Sequence, residues 1–493
     1  MRLDLAVRGG TVATEAGAFR ADVGVRDGRI VALAEALDAE DVIDATGQLV
    51  LPGGIETHCH IAQESATGLM TADDYRTGSI SAAFGGNTCI IPFAAQHRGM
   101  GVTETLDLYE RRAAGASVLD YGHHLIVADP TETALRDELP AAFARGVTAL
   151  KVFMTYDRLR IEDARFLDLL ALAARHDAIV MVHAENHGMI QWMSARLEAA
   201  GRRAPRFHAS SHPALAEEEA IHRAICLAKL ADARLMIVHV STPEGAALVA
   251  RARAEGARVH AETCPHYLAF TREALDRPGM EGAKFMCSPP LRDAAAQAAL
   301  WDHLRRGDFD VVSSDHAPYR FDASGKLAHG EDAGFRRIAN GLPGIGARLP
   351  WLFSEGVVKR RITLSRFVAL SAGQAARLYG LDHVKGAIRI GADADLALWD
   401  PQEEWTLRLE DQHDAMDYTP YEGMRLTGRP RTTLSRGRRV VEDCRLVGRP
   451  GFGRFVPRRP PALDDQPGSL GAELDPADEA AAAPAPARDP RTR

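Results

Sequence analysis

Apolar and polar positions change their period twice along this chain. Residues 1 to about 50 form short alternating runs, Leu5-Ala6-Val7-Arg8, Ala21-Asp22-Val23-Gly24-Val25 and Arg29-Ile30-Val31-Ala32-Leu33. A period of two is that of a half-buried strand. Asp27-Gly28, between the last two runs, tolerates the positive φ of a tight turn, so a hairpin is expected there. The same texture returns at 394–399 and 432–441. Two β-rich ends around a different middle predict one small β-sandwich built from both termini, with its parts at 1–50 and 385–456.

The middle, 51–384, alternates short β-branched runs with longer helical patterns such as residues 217–228. That alternation argues for βα units around a parallel sheet. Eight candidate strands can be counted: 55–57 after the Pro52-Gly53-Gly54 turn, 88–91, 121–127, 149–153, 178–183, 235–240, 258–262 and 310–314. Eight strands close a TIM-type (β/α)8 barrel, so the fold class is α/β. The segment 457–493 is rich in Pro, Ala, Arg and Asp. It has too little apolar surface to offset the entropy of ordering, and a disordered tail is expected.

Composition narrows the function classes. A formal charge of −8, from 59 basic and 67 acidic residues spread along the chain, offers no basic face for nucleic acid or an anionic membrane. The first residues lack an apolar leader, and no stretch approaches the roughly 18 to 20 apolar residues that span a bilayer. A cytoplasmic protein is expected. Six cysteines lie scattered with no CxxC pair, so free and mostly buried thiols are expected.

The chemistry gathers at the strand ends. His58 and His60 follow the first candidate strand, Lys151 lies on the fourth, His183 on the fifth, His239 on the sixth and Asp315 just after the eighth. Barrel active sites are built at the C-terminal ends of the strands. Taken singly, each residue has a structural reading: a strand-end histidine satisfied in the core, or Asp315 as a helix cap. Six such residues at matching depths carry more weight. Alternate residues of a strand point one way, so His58 and His60 can face one ion while Cys59 faces away. Lys151 is the odd member, because an ammonium inside an apolar run is costly to desolvate. An ion pair with Glu185 or Glu262 would account for it structurally.

Beyond these positions, 53–60, 151–156, 182–186, 237–241, 286–292, 314–318 and 340–344, together with Asp417-Tyr418-Thr419-Pro420-Tyr421-Glu422-Gly423-Met424, resemble the hydantoinase and dihydropyrimidinase branch of the amidohydrolases. The resemblance runs in order from about residue 5 to 456. It implies that Lys151 is N-carboxylated by carbon dioxide, which turns a repelled cation into a carbamate (N6-carboxylysine) bridging two divalent metal ions. His58, His60 and Asp315 would complete one metal site, and His183 and His239 the other. Tyr156 would donate to the oxyanion. Ser288 and Asn340 would position the ring amide, mainly through backbone groups.

The activity implied is opening of a cyclic amide ring, a dihydropyrimidine, 5-substituted hydantoin or related ureide, by a hydroxide held between the metals. The product would be an N-carbamoyl amino acid. Two divalent ions against the carbamate, Asp315 and hydroxide leave about one positive charge to face the oxyanion. Asp315 would shuttle the proton to the leaving nitrogen. Zinc suits the imidazole-rich set, with cobalt and manganese as competitors. Homotetramers are the expectation from the resemblance.

Near alternatives are allantoinase and cyclic imide hydrolases. A dihydroorotase-like reading fits less well, because the position two after His60, where such enzymes place an arginine, is Ala62. A non-catalytic interaction protein on this fold would typically have lost ligands, and all six are present. Two loops expected to rim the pocket depart from common hydantoinases: 62–68 lacks the usual Pro-Phe pair, and 94–98 is unusually polar.

Overall fold

The computed structural model describes residues 2–65 and 68–463. Its central sheet is parallel and carries the eight expected strands: Gly54–Cys59 (β1), Asn87–Ala95 (β2), Asp120–Tyr121 with His124–Ile126 (β3), Ala149–Phe153 (β4), Ile179–His183 (β5), Arg234–Ile237 (β6), Val259–Thr263 (β7) and Val311–Val312 (β8). All neighbours from β1 to β8 pair in parallel. The ends of the sheet meet through a parallel bridge between Cys59 and His316, where the His60 amide donates to the His316 carbonyl at 2.7 Å. This closes a TIM-type barrel, and it joins the His58–His60 segment to the residue after Asp315.

Two strands depart from expectation. The run at 121–127 is split at Gly122 and His123, where the Gly122 amide turns to the Ile90 carbonyl and Tyr121 pairs with Phe455 from the far end of the chain. β8 is only two residues long, because Asp315 already has φ +46° and leaves the ladder. β2, β4 and β5 are buried along their whole length, as expected for strands covered on both faces.

Strands from both ends of the chain form two further sheets. One is four-stranded, in the order 29–34, 22–26, 3–8, 39–44. The other is seven-stranded, in the order 445–446, 438–442, 425–435, 396–406, 49–52, 11–14, 17–20. Val7, Val12, Val23, Ile30, Val50, Leu396, Leu398 and Leu434 share a core between them. The hairpin at Asp27-Gly28 is present, with φ +52° and +75°. A second, at Arg436-Gly437 with φ +48° and +70°, divides the run expected at 432–441.

The expected boundary of the tail at 457 needs correction. Residues 457–463 lie against the barrel: the Arg458 amide donates to the Gly146 carbonyl, Arg459 to Gly380 and Ala462 to Arg377. Arg458 is buried, with its guanidinium donating to the His123 carbonyl and to His124 Nδ1. Residues 464–493, the rest of the expected tail, lie outside the described residues. Arg458→Ala would leave that carbonyl unsatisfied and is expected to cost about 2 to 3 kcal/mol. Urea denaturation checks this, and an unchanged midpoint would rule out an anchoring role.

Candidate active site

The six residues singled out by position converge at the mouth of the barrel. His58 Nε2 lies 3.1 Å and His60 Nε2 3.3 Å from the same Asp315 oxygen. The ligand atoms of these three side chains all fall within 4.8 Å of one another. The remaining imidazoles continue the row, with ring centroids of His58 and His239 5.5 Å apart and of His239 and His183 4.6 Å apart.

Each histidine except His239 has one nitrogen held by a side chain behind it. Glu262 Oε1 accepts from His58 Nδ1 at 2.6 Å, Gln63 Oε1 from His60 Nδ1 at 2.8 Å, and Glu185 Oε2 from His183 Nε2 at 2.7 Å. An imidazole fixed this way presents its other nitrogen as a lone pair. His239 Nδ1 is buried with no hydrogen-bond partner among the described residues, and His58 Nε2, also buried, has only the close approach of Asp315. Buried polar nitrogens left unpaired are costly, and on neighbouring rings beside Asp315 they fit divalent cations of the imidazole-binding kind.

Electrostatics agree. Burial works against the charged form of Asp315, but His58 and His60 outweigh it and hold the carboxyl well below its usual range. Burial lowers the basicity of His58, and Glu262 and Asp315 more than restore it.

Lys151 is 1% exposed, with Nζ 5.3 Å from the Phe93 ring centre and 5.1 Å from that of Phe153. The structural ion pair suggested for it is not formed. Glu185 is taken by His183 and His212, and Glu262 by His58 and the His239 amide. Burial, only partly opposed by Asp315 and Glu262, pushes the amine down to about 8.

Beneath the cluster, Glu56 and Arg348 form a fully buried pair at 2.9 Å. Glu56 Oε1 accepts from the amides of His58 and Ser314, and Arg348 donates to the Ile55 and Val312 carbonyls. The pair locks the ends of β1 and β8 together, setting the HxH segment against Asp315.

Tyr156, Ser288 and Asn340 line the same cavity. Tyr156 has φ +71°, while His239 and Asp315 have +42° and +46°. Non-glycine residues in that region cost about 1 to 3 kcal/mol each and are held only where surrounding structure imposes them. Here the turn swings each side chain from the strand end over the mouth. Burial pushes the Tyr156 phenol far above its usual value, so it remains a donor. The Ser288 and Asn340 segments touch where the Gly341 amide donates to the Met286 carbonyl at 2.9 Å. A Cβ on Gly341, at φ +147°, would meet the Ala317 oxygen at 2.5 Å.

Lys326, not singled out in the sequence, ties these two segments together. It is buried and donates to the Met286 and Ala339 carbonyls. Of the two loops expected at the rim, the first contributes Gln63 and Ser65. The second does not reach the cavity: Gln96 is buried, its oxygen accepting from the Ala128 and Asp129 amides. Its polarity serves the main chain.

Two neutral imidazoles set an acid limit. Burial pushes His208, which donates to the Cys287 carbonyl, down to about 3, and His266 to about 4. Both would titrate near about 6.5 when unfolded. Between those values the unfolded chain binds protons that the folded chain refuses, so stability is lost as pH falls through that window. Melting temperature should therefore drop steadily from about pH 6.5 to pH 4. A flat profile there would contradict the assignment.

The comparisons with known proteins agree with this geometry. The Amidohydrolase family model matches residues 49–440. A D-hydantoinase of Ralstonia pickettii is 41% identical over 459 residues, covering 93% of this chain and 99% of its own length. One of Streptomyces coelicolor is 42% identical over 460 residues, covering 92% and 97%. The crystal structure of dihydropyrimidinase from Brevibacillus agri NCHU1002 superposes with a TM-score of 0.90 at 40% identity, over 93% of this chain and 99% of that one. This chain belongs to the amidohydrolase family, in its hydantoinase and dihydropyrimidinase branch.

Proposed function

We propose that this protein is a cyclic amidase that opens a hydantoin or dihydropyrimidine ring to an N-carbamoyl amino acid. The observation that carries the reading is the convergence of four histidines, Asp315 and a buried lysine, which has no carboxylate partner among the described residues, on one cavity, with Tyr156, Ser288 and Asn340 on its wall. D-hydantoinases at 41% and 42% identity over almost the whole chain support the reaction class and make a D-substituted ring the first substrate to test.

His58, His60 and Asp315 would hold one divalent ion and His183 and His239 the other. Lys151, as a carbamate, would supply ligand oxygens to both. Its amine, lowered to about 8, has a substantial neutral fraction at physiological pH; the nitrogen lone pair attacks carbon dioxide, an N–C bond forms and one proton leaves. When bound, the ions, zinc by donor type, would supply Lewis-acid activation of a water and of the ring carbonyl.

The chain's own residues do the rest. Asp315 accepts the proton released by the attacking water and passes it to the ring nitrogen as the C–N bond breaks. Tyr156 donates to the carbonyl oxygen as charge develops there. The main chain at Ser288 and Asn340 orients the ring amide. A homotetramer in the cytoplasm completes the reading.

The test is a panel of dihydrouracil, 5-substituted hydantoins, allantoin and succinimide-type imides, with chiral analysis of the products. Opening of hydantoins or dihydrouracil supports the proposal. Turnover of allantoin or imides alone would replace it.

A further inference from the structure

Among the described residues, the lining of this cavity is short of acid and holds a guanidinium with no carboxylate partner. The cavity has a volume of about 370 Å³, and among the described residues its only carboxylate is Asp315. Besides Lys151 and Asp315, the charged side chains that line it are Arg336 and Arg337, both exposed. Arg336 is already engaged, with Glu198 at 3.1 Å and Gln191 at 2.7 Å. Arg337 is not: its guanidinium donates to His329 Nδ1 at 3.1 Å, and among the described residues no carboxylate pairs with it. An imidazole that accepts at Nδ1 carries its hydrogen on Nε2, so His329 offers a second donor on the same wall.

We propose that the exocyclic arm of the preferred substrate carries a carboxylate, read by Arg337 with His329. The inference rests on the ring-opening reading and names the substituent for that site. Arg337 lies three residues before Asn340, the position assigned to the ring amide. Three residues span at most roughly 10 Å, so a short carboxymethyl or carboxyethyl arm on the ring falls within reach of a long guanidinium side chain. A planar guanidinium takes a carboxylate through two parallel hydrogen bonds. A neutral arm would leave both the arginine and the imidazole donor to water.

The experiment compares kcat/KM for 5-(2-carboxyethyl)hydantoin with that for its isosteric carboxamide, at low salt and at high salt. Arg337 is exposed, so the preference expected for the acid is modest, roughly 3- to 10-fold, and it should shrink as salt screens the pair. Arg337→Glu should invert the ratio, with melting temperature confirming that the variant folds. A wild-type enzyme that opens the carboxamide as fast as the acid, or a ratio that Arg337→Glu does not move, overturns the inference alone. A chain that opens neither these hydantoins nor the unsubstituted ring overturns the ring-opening reading and the inference with it.

Discussion

Lys151→Ala is expected to abolish paired metal binding and turnover together while the barrel stays folded. Were Lys151 an ion-pair partner, its removal would orphan a buried carboxylate and cost about 3 to 5 kcal/mol. Glu185 and Glu262, however, are bonded to histidines rather than to Lys151, so no carboxylate is orphaned and the loss of stability should be small. On the proposed reading, what disappears instead is the carbamate that would join the His58–His60–Asp315 group to His183 and His239. Acetate or propionate at high concentration can fill the space between Phe93 and Phe153 that the side chain vacates, and should restore a fraction of the activity. Lys151→Arg should resist rescue, because the guanidinium fills the space, stays charged and cannot form a carbamate. Metal per chain by elemental analysis, alongside activity with and without the added acid, decides the matter. An alanine variant that keeps two metals and near-normal turnover would sink the carbamate assignment.

Tyr156→Phe should lower kcat by roughly 10² to 10³, the range for losing one oxyanion donor, with metal content intact. The phenol is buried and held far above its usual pKa, so it is a donor throughout the working pH range. Its ring stands 5.1 Å from that of His183, over the cavity that holds the cluster. If the hydrogen bond strengthens only as charge builds on the oxygen, kcat should fall with little change in KM. A rise in KM at constant kcat would instead make Tyr156 a ground-state contact. Unchanged kinetics would remove it from the mechanism.

The strand pattern was legible because burial on both faces writes continuous apolar runs, and the six polar residues interrupting them stand out. Their depth along the barrel followed from counting. The roles of the groups behind them did not, because they are set by partners far apart in the chain. Glu262 holds His58 across 204 positions and Arg348 reaches Ile55 across 293; in the sequence each is an ordinary charged residue. Gln96 shows the opposite error. It reads as a polar rim residue, but its amide is spent on nearby main chain.

The sequence by itself therefore determined the barrel, the sheets built from both ends, the candidate ligand set and the resemblance that names the branch. Each depends on local period or on residue type at a spacing, and both are written in one dimension. Only the tertiary structure decided that, among the described residues, Lys151 lacks a carboxylate partner, that residues 457–463 dock through a buried arginine, that Lys326 joins the Ser288 and Asn340 segments, and that Arg337 lines the cavity bonded to His329 and, among the described residues, to no carboxylate. These are outcomes of competition for partners. A buried or cavity-facing charge is satisfied or left over according to which of many distant groups reaches it first, and only the folded chain brings the competitors within hydrogen-bonding distance.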